Sequence, residues 1–240
     1  MRLEKLLAYS GIASRRKSKE IILAGAVKVN DEVCLEPGFR VGKADVVTYQ
    51  GDVVEKVEHV YYLMNKPRGI VTTTLDEKNR KTVIDLLSVE DQEERVYPIG
   101  RLDYDTAGLL LLTNDGVLTQ HLTRPEYDVD KTYLARVFGL ISKDALRRLE
   151  RGVKLEGYTS KPATVVLKER NHKQKTSLIE ITISEGKNHQ IKNMCHEVGF
   201  PVKSLTRIRF DFLTLEGVKR GEYRPLKVHE IKKLYAHVKK

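Results

Sequence analysis

Asp103 is the residue of this chain best placed to do chemistry. It lies in YPIGRLDYDTAGLLLLTNDG, residues 97–116, between an Arg-Leu pair and a Tyr-Asp-Thr-Ala-Gly turn. An unbroken apolar run, residues 109–112, follows. A loop at the mouth of a buried strand can hold a carboxylate as a nucleophile or as a general base. Taken alone, Asp103 also reads as a turn residue or a helix cap. Asp105 and Asp115 show how common aspartates are in this stretch. Cys195, His196 and His189 lie close together but lack the paired spacing of a zinc site, so they read as structural and no metal is expected.

The surrounding pattern divides into two units, residues 1–58 and 59–240. In the first, residues 2–9 are predicted to form a helix with Leu3, Leu6 and Leu7 on one face. Ser10-Gly11 breaks it. Ser14 caps a second helix running to Leu23, where Ile21, Ile22 and Leu23 supply apolar surface. Ala24-Gly25 ends that helix. AVKVN alternates, with Val27 and Val29 on one face, and Asn30-Asp31 turns the chain into EVCLEPG. DVVTY, residues 45–49, is a last strand. So small a unit has a thin core. QGDVVEKVEH, residues 50–59, reads as a linker.

The second unit opens with a strand over residues 60–65. KPRG then makes a turn, and residues 70–73 resume a strand. Residues 82–87 read as a short helix, and GVLTQHL as an ordinary amphipathic segment. KTYLARVFG is a strand with Tyr133, Ala135 and Val137 on one face. Ser142 caps an amphipathic helix to Arg151. ATVVLKE and SLIEITISEG are β-branched strands. Residues 190–197 form a helix ended by Gly199, and FDFLTL and VHEIKKLYAHV complete the unit. Gly108 and Gly116 are expected at turns where the backbone is approached closely. This pattern predicts an α+β fold with a mixed, mainly antiparallel sheet and flanking helices.

The 240 residues carry 43 lysines and arginines against 33 aspartates and glutamates, a net charge of +10. That balance favours an anionic partner, and nucleic acid comes first. Arg15, Arg16, Lys17 and Lys19 fall within five residues, as a solvated helix face or as an RNA contact. No apolar run reaches the ~18 residues of a membrane span. The charged N-terminus has no secretory core, and the two cysteines, Cys34 and Cys195, form no C-x-x-C pair. A cytoplasmic protein is expected. No G-x-G-x-x-G loop follows a strand, which argues against a nucleotide-dependent methyltransferase.

LEKLLAYSGIASRRKSKEIILAGAVKVND resembles, along its whole length, the small RNA-binding domain first known from a ribosomal small-subunit protein, the S-four domain. GRLDYDTAGLLLLTNDG, KTYLARV and EGKNHQIKNM, with KPRGIVTT before them and LEGVKRGEYRPL after, resemble the ribosomal RNA pseudouridine synthases in the family's order. The resemblance implies that Asp103 is the catalytic aspartate. It implies that Lys192 pairs with it and that Tyr133 stacks on the target uracil. Arg101 would fill the space left by the extruded base or touch its phosphate, and Arg15, Arg16, Lys17 and Lys19 would contact RNA. An adjacent cation favours a charged carboxylate and holds it in place. Asn193 stands where the family often has a second basic residue. No cofactor is implied. The expected partner is ribosomal RNA or a pre-ribosomal particle, met by a monomer. The motifs look most like the group acting on the large subunit. The small-subunit group, or a non-catalytic assembly factor with this fold, is the alternative.

Overall fold

The spacing of Leu3, Leu6 and Leu7 buries one side of helix α1, Leu3–Tyr9, against α2, Arg15–Leu23. The Ser14 hydroxyl caps α2 by accepting the Lys17 N–H. Of the three apolar residues expected to serve α2, Ile22 is fully buried, whereas Leu23 is 63% exposed because the helical period turns it outward. β1, Val27–Val29, pairs with β2, Glu32–Val33, and with β3, Val47–Tyr49. Asn30 and Asp31 both take left-handed conformations and close the β1–β2 hairpin. The expected linker is structured where it begins. Gln50 and Gly51 turn the chain at positive φ, and β4, Asp52–Val53, pairs back onto β3.

The computed structural model describes residues 1–55 and 58–236. Two residues of that linker and the end of VHEIKKLYAHV lie outside the described residues. No described helix is long and apolar enough to cross a membrane.

The second unit begins with β5, Tyr61–Lys66, then α3, Val89–Glu93, and β6, Tyr97–Pro98. The loop carrying Asp103 leads into β7, Thr106–Thr113, and α4, Gly116–Thr123. Next come β8, Lys131–Phe138, and α5, Lys143–Arg151, capped by Ser142 as expected. The hairpin strands β9, Lys154–Leu155, and β10, Tyr158–Thr159, precede β11, Thr164–Asn171, and β12, Thr176–Ile183. α6 spans Gln190–Glu197, the residues predicted for it, and leads to β13, Val202–Phe210. β14, Leu213–Thr214, β15, Tyr223–Pro225, and α7, Val228–Ala236, complete the described chain.

The main sheet runs β11-β12-β8-β13-β7-β5-β15, with β14 beside β13 and β6 beside β7. All its pairings are antiparallel except β13 with β7. The fold is therefore α+β with a mixed, mainly antiparallel sheet, as the pattern predicts. β7 is buried along its whole length, and Leu109 to Leu112 are at most 1% exposed. Both faces of the sheet are covered at that strand, so its residues form an apolar run rather than an alternation. Burial of each such side chain contributes about 1.5–3 kcal/mol.

Two expectations change, and one strand is new. Residues 70–73 form no strand beyond one bridge between Val71 and Thr82, because the Thr73 hydroxyl turns back onto the Leu75 carbonyl. Residues 82–87 shorten to a 3-10 turn, Ile84–Leu86, where the Asp85 carboxylate accepts the Thr82 N–H. β13 is a central strand, most of it over residues that the pattern leaves unassigned. Lys203, Arg207 and Arg209 interrupt its apolar alternation.

Gly108 sits inside β7 rather than at a turn, with φ +111°. A Cβ there would stand 2.1 Å from the Arg207 carbonyl oxygen. Gly108→Ala should destabilise the protein by about 3 kcal/mol or more, because strain and overlap with backbone act together. A thermal unfolding midpoint within a degree or two of wild type would contradict this account of the β7–β13 contact. Gly116 opens α4, where a Cβ would stand 2.9 Å from Tyr9 Cε1, so this glycine does accommodate a close approach.

Candidate active site

The parallel pairing of β7 with β13 sets the Asp103 loop and α6 at the same end of the sheet. Leu205 stands opposite Thr106, so the segments leading into the two strands lie side by side. Asp103 and Lys192 meet there although 89 positions separate them, with Lys192 Nζ 2.7 Å from Asp103 Oδ2. The same ammonium lies 2.6 Å from Asp105 Oδ1. His189, in a left-handed conformation before α6, places Nε2 3.5 Å from Asp103 Oδ1.

The loop is held by its backbone. Lys66 is fully buried at the end of β5, and its Nζ donates to the carbonyls of Pro67, Asp103 and Thr106 at 3.1, 3.1 and 2.9 Å. The Thr72 hydroxyl donates to the Leu102 carbonyl at 2.7 Å and accepts the Leu102 N–H at 3.3 Å. Gly69 N–H donates to the Tyr104 carbonyl at 2.8 Å. The KPRG turn is thus the bracket on which the aspartate loop rests.

Burial works against the charge of Lys192, but hydrogen bonds and attraction from Asp103 and Asp105 outweigh it and hold the ammonium above its ordinary pKa. The hydrogen bond from Lys192 holds Asp105 below the usual carboxylate value. Burial pushes Lys66 down to about 8, against the raising pull of the two aspartates. The site therefore presents an ammonium that is charged at neutral pH and shared by two aspartates.

Asp103 and Lys192 border a cleft of about 200 Å³ that Arg101 and Tyr133 also line. Tyr133 is 9% exposed on β8, and Arg101 is exposed. A cleft of this size suits one flat base. The structure thus brings four of the sequence candidates together. Arg15, Arg16, Lys17 and Lys19 stand apart, on the exposed side of α2. Arg15 pairs with Glu4 at 3.3 Å and Lys17 with Glu20 at 3.0 Å. Arg16 and Lys19 have no ion pair among the described residues.

Sequence reasoning misses three groups. His189 reads as structural beside Cys195 and His196, yet it borders Asp103. Asp105 reads as background, and Lys66 as part of a turn. A lysine closing an apolar strand before Pro-x-Gly is the one available signal. Cys195 is buried, with its thiol pushed up to about 12 by that burial, which fits the structural reading. No cluster of metal-ligating side chains occurs among the described residues.

The family model for RNA pseudouridylate synthase matches residues 60–197, and that for the S4 domain matches residues 1–47. The ribosomal large subunit pseudouridine synthase B of Bacillus subtilis is 46% identical over 98% of this chain and 96% of its own length. An uncharacterized RNA pseudouridine synthase of Aquifex aeolicus is 38% identical over 99% of this chain and 95% of its own. A crystal structure of a pseudouridylate synthase superposes with a TM-score of 0.68 and 30% identity, covering 98% of this chain and 99% of that one.

Proposed function

The chain belongs to the RNA pseudouridylate synthase family and carries an S4 domain, and on that premise we propose that it converts one uridine of large-subunit ribosomal RNA to pseudouridine. The observation that carries this reading is the Asp103–Lys192 pair at 2.7 Å beside Tyr133 in one cleft. The reaction breaks N1–C1′, turns the base, and joins C5 to C1′. Reactant and product are isomers, so the proposal asks for no cofactor.

Asp103 supplies the carboxylate, which attacks sugar or base or removes a sugar proton. Lys192 pairs with it and orients it, and Lys66 and Thr72 fix the backbone that carries it. Tyr133 stacks on the target uracil. Extruding that nucleotide costs a few kcal/mol, which Arg101 and the lining of the cleft offset. Residues 1–58 are proposed as the RNA-anchoring domain and residues 59–240 as the catalytic one. The protein is proposed to act as a monomer, in the cytoplasm, on ribosomal RNA or a pre-ribosomal particle.

Mapping pseudouridines in ribosomal RNA from cells with and without the protein tests the assignment. Loss of one modification in the large subunit is expected. A loss confined to the small subunit would transfer the activity there, and no loss would overturn the reading.

The exposed cations of α2 are proposed to hold phosphates. Replacing Arg15, Arg16, Lys17 and Lys19 by alanine should flatten the log–log salt dependence of RNA affinity, by roughly 0.7–0.9 for each phosphate that a replaced cation had neutralised. Arg16 and Lys19 should carry most of the change, because Arg15 and Lys17 already have acidic partners. Equal slopes for the variant and the parent would reduce this run to a solvated helix face.

A further inference from the structure

The floor of the cleft holds cations that the Asp103–Lys192 pair does not account for. Arg207 is 3% exposed, and its Nε–H donates to the Leu109 carbonyl at 2.7 Å. Its Nη2 is enclosed with no acceptor among the described residues. Thr106 Oγ1, also on the cleft, is enclosed without a partner too. Lys131 lines the same cleft. Its Nζ has no hydrogen bond among the described residues, and burial together with repulsion from Arg207 lowers its pKa to about 8. Donors left unsatisfied in a low-dielectric place cost stability unless something completes them.

The strand register explains how they converge. Arg207 stands directly opposite Tyr133, and Phe210 opposite Lys131, across β13 and β8. Tyr133 and Lys131 are two residues apart and share a face. Phe210 lies three residues after Arg207 and would face away in an unbroken strand. A register shift between Arg207 and Arg209 turns it back. Arg207 and Lys131 then flank its ring, at 5.3 and 5.8 Å from the centroid.

We propose that Arg207 is a further catalytic residue, which with Lys131 donates hydrogen bonds to the carbonyl oxygens of the target uracil and stabilises the charge the base gains as it leaves the sugar. This rests on the reading of Asp103 and Tyr133 given above. When N1–C1′ breaks, its electron pair goes to the base, and the charge spreads over N1, O2 and O4. When C5–C1′ forms, C5 loses its proton and N1 gains one, so the balance closes without an oxidant or reductant. A base stacked on Tyr133 presents its edge to the neighbour across the strand pair, which is Arg207. A phosphate, strongly hydrated, suits exposed cations such as Arg16. A guanidinium buried at the cleft floor suits a flat carbonyl edge. Preorganised donors of this kind act where charge develops.

The test uses the whole protein and an rRNA fragment whose modified uridine has been mapped. Arg207→Lys and Lys131→Gln are compared with wild type in single-turnover rate, RNA affinity and thermal unfolding. Lys131 is the less buried position, so its variant keeps the test sound if Arg207→Lys fails to fold. The expected result is a rate lowered by about 10-fold or more with affinity changed by less than about 3-fold. The target uridine is then replaced by 2-thiouridine or 4-thiouridine, whose sulfur is a weaker acceptor. One of these should slow wild type and slow the variants much less, because the two changes remove the same hydrogen bond. Equal thio penalties in all proteins would overturn the proposal. So would a loss confined to affinity with a flattened salt slope, the signature of phosphate binding. Asp103→Asn runs in parallel. If it stays active, the site reading itself fails. If it is inactive while the Arg207 and Lys131 variants match wild type, this inference alone fails.

Discussion

Asp103→Asn should give a folded protein that binds ribosomal RNA almost as wild type does and forms essentially no pseudouridine. The expected loss is at least about 10⁴-fold, since the substitution removes the one group that starts the reaction. The structure explains why folding should survive. Asparagine has nearly the same shape as aspartate, and its amide oxygen still accepts a hydrogen bond from Lys192. The loop is held by main-chain bonds to Lys66, Thr72 and Gly69 rather than by the carboxylate. Near-normal turnover by a purified, folded Asp103→Asn protein would remove Asp103 from the mechanism and with it the proposed site.

The second large effect is expected at Lys192. Lys192→Ala should lower the rate by about 10²–10³-fold, the scale of removing one preorganised charge-stabilising group from an active site. The ammonium bridges Asp103 and Asp105 at 2.7 and 2.6 Å. Removing it leaves two carboxylates without the ammonium they share, with His189 Nε2 3.5 Å from Asp103 Oδ1. Lys192→Arg should recover part of the rate, because charge remains while the planar guanidinium sets a different geometry. Asp105→Asn should cost much less, since Asp105 is 67% exposed and exposed ion pairs contribute little. Stability should fall only modestly in Lys192→Ala, so the measurement is single-turnover rate alongside thermal unfolding. A wild-type rate for that variant would mean the ion pair has no catalytic role.

Much of the molecule is legible locally. Ser14 and Ser142 cap the helices predicted from their spacing, and α6 spans the residues its pattern implies. Tyr133, Ala135 and Val137 share the buried face of β8. Asp103 stands just before a buried strand, as its apolar run implies. Caps, glycine turns and apolar periods depend on a residue and its close neighbours, so they are written in the sequence. Residue order also carries the family resemblance.

Tertiary structure decides the rest. Apart from the family resemblance, nothing near Lys192 in sequence says that it meets Asp103; that meeting follows from β13 lying parallel to β7. His189 and Asp105 join the site by the same pairing. Lys66 is charged, and its type predicts exposure, yet three carbonyls of the folded loop satisfy its ammonium in the interior. Arg207 faces the cleft because of its register with Tyr133, and Phe210 because of the irregularity between Arg207 and Arg209. Register and bulges are set by how distant strands share a core. A single stretch of sequence holds one side of each such pairing and therefore cannot specify it.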